Sequence, residues 1–454
     1  MGCTLVPWDL YCNQSPAITS VNQGGQKTAT HFNLPTYGTT YVVWPAPVAS
    51  CSFFSFSWLA KMLSIYRRSA VLALSTLVAA SKTSSAFSPA VFQRTSVSAH
   101  RQHRLIPRAM SSSSTAAETT SPPVIRGRPT WQQTMIRIAD PSKSLPFYTD
   151  VLGMTHIDTL DFPQWKFSIY FVTTLPEGET YTLKPGTQAA HDYLWSMEGV
   201  ALELTHNHGT EDPDGDFKGY HAGNEEKDGF GHIAVSCDDV YAACEELEKE
   251  RVTFKKKPDE GRMKGLAFAY DPDKYWVEVV RRRGGGKISN TFNFSQTMLR
   301  VKDPKKSVDF YQRLGMKVMA EKHFPDAKFS LYFLASNVPD AVVPADPTSE
   351  EAALAASNLF QPVLELTHNH GTENDVDFKH YNGNEEGRQG FGHIGFLVDD
   401  VYQACDDIEE LGYDFHKTVD GGTMKGLAFA LDPDGYRVEI IKRGGMDFGQ
   451  KNAE

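Results

Sequence analysis

The chain has 454 residues, a formal net charge of −11 at pH 7 and 41% hydrophobic residues. Its first 125 residues contain nine Lys and Arg against two acids, so the remainder carries about −18, which argues against nucleic acid as a partner. The six cysteines form no CxxC pair and suggest no disulfide framework, so we expect a soluble enzyme or binding protein.

Residues 1–125 are predicted to be a disordered extension that carries a targeting leader. From Met62, two arginines and the apolar run 70–80 have the layout of a signal peptide, and the run is too short to span a membrane. The stretch from Phe87 to Met110 is basic, hydroxyl-rich and free of acids, which is typical of transit peptides. A signal peptide followed by a transit peptide resembles the bipartite leader of proteins in algae with complex plastids. Plastid import is therefore the favoured interpretation. The alternatives are a mitochondrial presequence, a disordered tail without a targeting signal and a cytosolic form starting at Met110.

Beyond a Ser- and Pro-rich linker, short β-branched and aromatic runs alternate with helical ones. The run QQTMIRIA is a predicted strand, and the helix after it can be capped by Asp140, with Pro141 in its first turn. Further strands are predicted at KFSIYFVTT and GVALELTH. The scheme then repeats with FGHIAVSC, DDVYAACEELEKE, LAFAYD and YWVEVV. Each half of the folded region is therefore predicted to be two βαβββ modules in an α+β fold.

The two halves are copies of each other. QQTMIRIADPSKSLPFYTDVLGM, VALELTHNHGTE, GFGHIAV and MKGLAFAYDPDKYWVEVV return in the same order as SQTMLRVKDPKKSVDFYQRLGM, VLELTHNHGTE, GFGHIGF and MKGLAFALDPDGYRVEII. The unit is far longer than a solenoid repeat, so we interpret it as a whole domain. The predicted domains are residues 126–283 and 284–445, separated by a Gly-rich link and followed by a tail at 446–454.

Strand parity places polar side chains of the first copy on one face. Gln133 lies with Arg137, and Glu203 lies with Asn207, because alternate residues of a strand share a face. A carboxylate inside an apolar strand needs a charged partner or a metal. Amide, carboxylate and imidazole groups form a ligand set suited to zinc or another divalent metal. The candidate ligands recur in both copies: Gln133, Glu203, His232, Glu278, Gln296, Glu365, His393 and Glu439.

Structural explanations compete with this interpretation. A single His at a strand start is usually a core or surface residue, and repetition preserves structural residues as well as ligands. The HNH triplets at 206–208 and 368–370 are a second metal candidate, although parity puts their histidines opposite the glutamates. Cys244 and Cys405 lie on the apolar side of helical stretches and are interpreted as buried hydrophobic residues.

The blocks QTMLRVKDPKKSVDFYQRLGM, LELTHN, GFGHIG, MKGLAF and DPDGYRVEI resemble those of glyoxalase I, the lactoylglutathione lyases of the vicinal oxygen chelate superfamily, over about residues 131–442. The resemblance implies tandem domains whose four βαβββ modules form curved sheets around metal sites. It pairs Gln133 and Glu203 with His393 and Glu439, and Gln296 and Glu365 with His232 and Glu278. It implies Zn²⁺, with Ni²⁺ as an alternative, and a monomer with two metals, because the modules pair within one chain.

The same resemblance implies isomerisation of the hemithioacetal of methylglyoxal and glutathione to S-lactoylglutathione through an enediolate. Its proton-shuttling candidates are Glu439, Glu278, Glu203 and Glu365. Arg137 with Asn207, and Arg300 with Asn369, are expected to hold the γ-glutamyl end of glutathione.

The glycyl carboxylate of glutathione is assigned by resemblance to Lys256 and Arg262 in one copy and to Lys417 in the other. Because Thr423 stands where the first copy has Arg262, we expect the site containing Glu278 to bind the adduct more tightly. No nucleic acid and no membrane are expected as partners of the mature form.

Three rival functions share part of this residue pattern. An extradiol dioxygenase would need two histidines and one carboxylate around iron, whereas the first ligand position here is Gln in both copies. An epimerase of the superfamily would have no need of the Arg and Asn pair. A non-catalytic protein that binds metal or glutathione would keep the ligands without the activity.

Overall fold

The structure is a computed structural model, and it describes residues 124–225, 227–282 and 292–446. The predicted leader, most of the Gly-rich link and nearly all of the predicted tail lie outside the described residues. No helix in the described part is long and apolar enough to cross a membrane.

Within the described residues, each copy contains eight strands and three α-helices. The first copy comprises β1 (Thr130–Ile138), α1 (Pro141–Pro146), β2 (Thr155–Phe162), β3 (Phe167–Thr173), α2 (Gln188–Leu194), β4 (Ala201–Asn207), β5 (Phe230–Cys237), α3 (Val240–Lys249), β6 (Phe254–Lys256), β7 (Ala267–Tyr270) and β8 (Trp276–Arg281). The second comprises β9 (Asn293–Val301), α4 (Pro304–Arg313), β10 (Lys317–Phe324), β11 (Phe329–Ala335), α5 (Glu350–Asn358), β12 (Val363–Asn369), β13 (Phe391–Val398), α6 (Val401–Glu410), β14 (Phe415–Lys417), β15 (Ala428–Leu431) and β16 (Arg437–Lys442).

Local sequence accounts for the start of the module helices. Asp140 accepts a hydrogen bond from the backbone N–H of Ser142, and Pro141 occupies the first turn of α1. Asp239, Asp303 and Asp400 cap α3, α4 and α6 in the same way. Helix α1 continues as a π-helical turn at Phe147–Val151. Helices α2 and α5, inserted before the last strand of a module, are additions to the predicted βαβββ order.

The strands form two eight-stranded sheets, and each sheet mixes the two copies. The first has the order β14-β15-β16-β13-β1-β4-β3-β2, and the second has the order β10-β11-β12-β9-β5-β8-β7-β6. At the centre of each sheet the first strand of one copy pairs antiparallel with the fifth strand of the other, β1 with β13 and β9 with β5. The first module of each copy therefore completes its sheet with the second module of the other copy.

The faces of the two sheets that are turned toward each other share one apolar core. The rings of Phe230 and Phe391 stack there, with centroids 5.1 Å apart. Thr134 and Thr297 occupy equivalent positions on β1 and β9, and their hydroxyl oxygens lie 2.7 Å apart. Both threonines are 0% exposed. The opposite face of each sheet curves around a polar cluster, which agrees with the predicted α+β fold of curved sheets.

The threonine pair gives a test of the junction between copies. Thr134→Val or Thr297→Val alone should lower the free energy of unfolding by about 1 to 3 kcal/mol, because the remaining buried hydroxyl loses its partner. The double variant should cost less than the sum, because no polar group is then left unpaired. Urea unfolding measures all three, with the exposed Thr253→Val as control. Additive costs would show that the hydrogen bond contributes nothing.

Candidate metal and substrate site

Four predicted ligands meet on the curved face of the first sheet, and we call this cluster site one. The amide nitrogen Nε2 of Gln133 lies 2.6 Å from Oε2 of Glu203 and 2.7 Å from Oε2 of Glu439. It lies 3.2 Å from Nε2 of His393. All four side chains are buried. The structure therefore brings together two residues from each copy around one point.

The second sheet contains the equivalent cluster, which we call site two. Nε2 of Gln296 lies 2.7 Å from Oε2 of Glu278, 2.8 Å from Oε2 of Glu365 and 3.2 Å from Nε2 of His232. These four residues are also buried. Each cluster contains three metal-ligating groups whose donor atoms lie within 4.8 Å of one another.

Sheet register explains how site one is assembled. Met135 pairs with Glu203 on one side and with His393 on the other, whereas Gln133 and Glu439 are both partners of Gly395. Four adjacent strands thus place their polar side chains on one face. A shift of one residue in any of these pairings would turn its ligand to the opposite face.

Neighbouring side chains orient the ligands. The hydroxyl of Thr205 donates to Oε1 of Glu203 at 3.0 Å, and Thr367 does the same for Glu365. The ring of Phe429 packs edge-on against His393 with centroids 5.3 Å apart, as the ring of Phe268 does against His232 at 5.4 Å. Sequence reasoning missed these supporting residues, although they recur in the repeated LELT and LAFA segments.

The site one cluster is strongly coupled electrostatically. Burial opposes protonation of His393, but Glu439 and Glu203 outweigh it and raise the pKa of the imidazole to about 9. In site two, burial raises the pKa of Glu365. Several ionisable groups crowded into a buried space are typical of functional sites.

The donor groups fit a divalent metal. Oε1 of Gln133 is buried and has no hydrogen-bond partner among the described residues, whereas its nitrogen faces both carboxylates. A half-turn of the amide would exchange the two atoms and direct an oxygen at the carboxylates and imidazole. Ligands about 2.0 to 2.2 Å from a zinc ion lie roughly 3.0 to 3.5 Å from one another. The observed separations of 2.6 to 3.3 Å come close to that spacing.

The two arginines predicted to bind substrate lie on the same strands as the Gln ligands. Arg137 donates to Oδ1 of Asn384 at 2.9 Å and to the carbonyl of Phe391 at 3.2 Å. Arg300 donates to Oδ1 of Asn224 at 2.8 Å. Burial lowers the pKa of both guanidinium groups, but arginine stays charged at neutral pH. The asparagine partners come from the other copy, in a repeated GNEE segment that sequence reasoning overlooked.

The two predicted asparagines differ in their surroundings. Asn207 donates to the hydroxyl of Tyr220 at 2.9 Å. Oδ1 of Asn369 is buried without a hydrogen-bond partner in the described part of the chain. His380 packs edge-on against Phe378, as Tyr220 does against Phe217.

The three predicted cationic residues are not equivalent. The ammonium group of Lys256 donates to the carbonyl of Leu266 at 2.6 Å, and Lys417 makes the matching bond to Leu427. Arg262 is exposed and is not among the residues that line the cavity at site two, whereas its neighbours Met263 and Lys264 are. Its predicted role in substrate binding stays a prediction.

The HNH histidines lie apart from both clusters. His206 bonds to Glu211 at 2.7 Å and His208 to Ser168 at 2.7 Å, and His368 and His370 repeat the pattern with Glu373 and Ser330. These bonds fix the turn that follows β4 and β12. The triplets thus have a structural explanation.

Comparison with known proteins identifies the family. A profile of the glyoxalase/bleomycin resistance protein/dioxygenase superfamily matches residues 130–279 and 293–440. The chain belongs to this superfamily. It is 42% identical over 315 residues to a lactoylglutathione lyase of Schizosaccharomyces pombe, an alignment that covers 68% of this chain and 95% of that protein.

Other members of the superfamily show the same relationship. The chain is 41% identical over 323 residues to glyoxalase I of Saccharomyces cerevisiae, covering 68% of this chain and 91% of the relative. A crystal structure of the V278E mutant of Zea mays glyoxalase I is similar with a TM-score of 0.49 and 26% identity, over 69% of this chain and 92% of that one. The family profile and the two relatives above 40% identity confirm the predicted resemblance to glyoxalase I.

Proposed function

We propose that the chain is a lactoylglutathione lyase that converts the hemithioacetal of methylglyoxal and glutathione into S-lactoylglutathione. The observation that carries the proposal is the pair of buried Gln, Glu, His and Glu clusters, each assembled from both copies. The relatives named lactoylglutathione lyase and glyoxalase I align with this chain over 95% and 91% of their own length.

Each cluster would hold one divalent metal, with zinc as the first candidate and nickel as the alternative. In site one the ligands would be Gln133, Glu203, His393 and Glu439, and in site two Gln296, Glu365, His232 and Glu278. When bound, such an ion supplies Lewis-acid stabilisation of the negative charge that develops on the substrate oxygens. Mixed oxygen and nitrogen donors suit both candidate metals.

Two glutamates of each cluster would carry out the proton transfer. The substrate must lose a proton from the carbon that bears sulfur and regain one on the adjacent carbon, so the reaction needs a base that becomes an acid. Glu203 is held by the hydroxyl of Thr205. Among the described residues Glu439 has no such hydroxyl donor. We therefore assign Glu439 as the more mobile base of site one and Glu203 as its partner.

Site two repeats this division, with Glu365 held by Thr367 and Glu278 as the mobile base. The proton that Glu278 takes from one carbon is the proton returned to the next, so no external oxidant or reductant is required. Burial of both carboxylates limits exchange of that proton with water.

The ends of glutathione would lie beside the clusters. Arg137 with Asn207, and Arg300 with Asn369, offer positive charge and amide groups for the γ-glutamyl end. Lys256 and Lys417 are the cations proposed for the glycyl carboxylate, with Arg262 as a further candidate. A charge-assisted hydrogen bond to a carboxylate is stronger than one between neutral groups.

The rival functions fit less well. Each cluster contains one histidine, two carboxylates and one amide, whereas a non-haem iron dioxygenase uses two histidines and one carboxylate. A protein that only binds glutathione or metal would not require the second glutamate beside a base. The lyase assignment accounts for all four residues at both sites.

Activity of single-site variants tests the assignment. Glu439→Gln should leave only site two active and Glu278→Gln only site one, so each keeps part of the thioester-forming activity. The double variant should lose roughly 100-fold to 10,000-fold, which is the range of general acid–base catalysis. Formation of the thioester from methylglyoxal and glutathione is followed by absorbance, with exposed Glu245→Gln as control. Full activity in the double variant would refute the assigned roles.

Metal content tests the proposed sites and the proposed monomer together. Residues from about Arg126 onward should bind two metal ions per monomeric chain, because the modules already pair within the chain. His393→Ala and His232→Ala should each retain one ion, and exposed His416→Ala should retain both. Metal analysis with light scattering measures this. Two ions per dimer, or unchanged content in the ligand variants, would contradict the proposal.

The leader remains a separate proposal, supported only by its composition. Residues 62–125 should direct a fluorescent fusion protein into an organelle, with the plastid as the favoured destination. A matched fusion in which the basic residues of 87–110 are replaced by Gln should lose import, because transit peptides depend on positive charge. A diffuse cytosolic signal from the unaltered fusion would count against import.

A further inference from the structure

The ligands of the two sites are identical in type, but the side chains around them differ in size. Helices α2 and α5 align at a constant offset of 162, and their caps agree, since Thr187 accepts from Ala190 and Ser349 accepts from Ala352. At this offset Leu194 corresponds to Ala356. The next residue pair is more unequal still, with Trp195 in the first copy and Ser357 in the second.

The sheets differ in charge at one position and in side-chain size at two others. Leu160 of the first sheet corresponds to Lys322 of the second. On the strands contributed by the other copy, Leu397 corresponds to Ser236 and Ile441 to Val280. At site one the members of all five pairs are apolar, are buried and pack into one cluster: Leu160, Leu194, Trp195, Leu397 and Ile441. The space beside the ligands of site one is therefore filled by the protein's own side chains.

Trp195 is the largest of these side chains, and it is firmly held. Its ring packs edge-on against Phe171 with centroids 5.6 Å apart, and its carbonyl accepts a hydrogen bond from Gly444 at 2.9 Å. Gly445 lies so close that an added Cβ would be 2.7 Å from Cδ1 of the indole. The segment after β16 thus closes over the indole, which is only 5% exposed.

Site two opens into a cavity of about 340 Å³, and its four ligands form part of the wall. This volume lies within the range of small-molecule sites, roughly 300 to 1,000 Å³. The counterparts of the five clustered residues all line it, four of them smaller and one charged: Ser236, Val280, Ala356, Ser357 and Lys322. Phe333 and Leu331 add apolar surface, and Met263 and Phe324 at the rim are 42% and 38% exposed.

We propose that the two sites divide α-oxoaldehyde adducts of glutathione by the size of the aldehyde-derived group. Site two accepts adducts with aromatic or long aliphatic groups, whereas site one accepts only the smallest. The inference rests on the proposed lyase function. The proposed binding mode places the charged ends of glutathione toward Arg300 and Lys256. The aldehyde-derived group is then left to enter the cavity, where burial of apolar surface is favourable. A well-packed cluster such as that at site one resists added bulk.

Binding stoichiometry tests the division without turnover. The probes are two unreactive thioethers, S-methylglutathione and S-benzylglutathione, titrated calorimetrically into the metal-loaded protein. We expect two equivalents of the methyl compound and one of the benzyl compound per chain. Glu278 and Glu439 need not react in this experiment. Two equivalents of the benzyl compound with similar affinities would overturn the proposal.

Turnover by the single-site variants is a second test of the size division. Glu439→Gln, with only site two intact, should have a phenylglyoxal-to-methylglyoxal ratio of kcat/KM at least tenfold higher than Glu278→Gln. Equal ratios would reject the size division while leaving the lyase function intact. Absence of turnover together with absence of thioether binding would instead reject the lyase function, and the size division with it.

Exchanging the residues that differ between the two sites tests whether these side chains set the size preference. In the Glu439→Gln background, Ala356→Leu with Ser357→Trp should lower the same ratio at least tenfold, because the cavity then carries the side chains of site one. Both positions are partly exposed in the unaltered protein. The converse variant, Leu194→Ala with Trp195→Ser in the Glu278→Gln background, should raise the ratio. An unchanged ratio in the first exchange would contradict the proposal even if the converse variant fails to fold.

Discussion

The antiparallel pairing of β1 with β13 and of β9 with β5 is the interaction on which the rest of the structure depends. Each pairing joins half of one polar cluster to the other half, so neither copy alone completes a cluster. Gln133 reaches Glu439 only because both lie beside the same residue of β13. Chemistry and chain topology are thereby linked, since any loss of these strand pairs separates the ligands.

The pairing also has an electrostatic cost. Each sheet buries two carboxylates and an imidazole within 4.8 Å of one another, and an unpaired buried charge costs about 3 to 5 kcal/mol. In site one the carboxylates raise the pKa of His393 to about 9 against the effect of burial, so a protonated imidazole offsets part of their charge. Strands rich in apolar residues do not need two carboxylates and an imidazole in order to fold. A bound cation explains this cluster of buried charged groups better than a contribution to folding does.

Strand parity placed Gln133 and Glu203 on the polar face where the structure has them, because a strand has a period of two, and the capping of α1 followed from a local Asp-Pro pair. Other features depend on tertiary contacts that no local pattern encodes. The partner of Arg137 is Asn384, which lies 247 residues away in the other copy. Helix α2 is seven residues long, and its Trp195 gains its role only from packing against Phe171 and Gly445. Composition alone could not indicate that one site is filled and the other open.

The two copies have diverged in their apolar surroundings rather than in their ligands, and the energetics explain why. Replacing one member of a buried polar cluster leaves its partners unsatisfied at a cost of several kcal/mol. Exchanging apolar side chains with local repacking usually costs less, on the order of 1 to 3 kcal/mol. A chain with two complete sites can therefore change Trp195 or Ser357 in one copy while the other copy keeps its shape. Duplication within a single chain thus allows the residues beside one polar cluster to change while both clusters keep the same residue types.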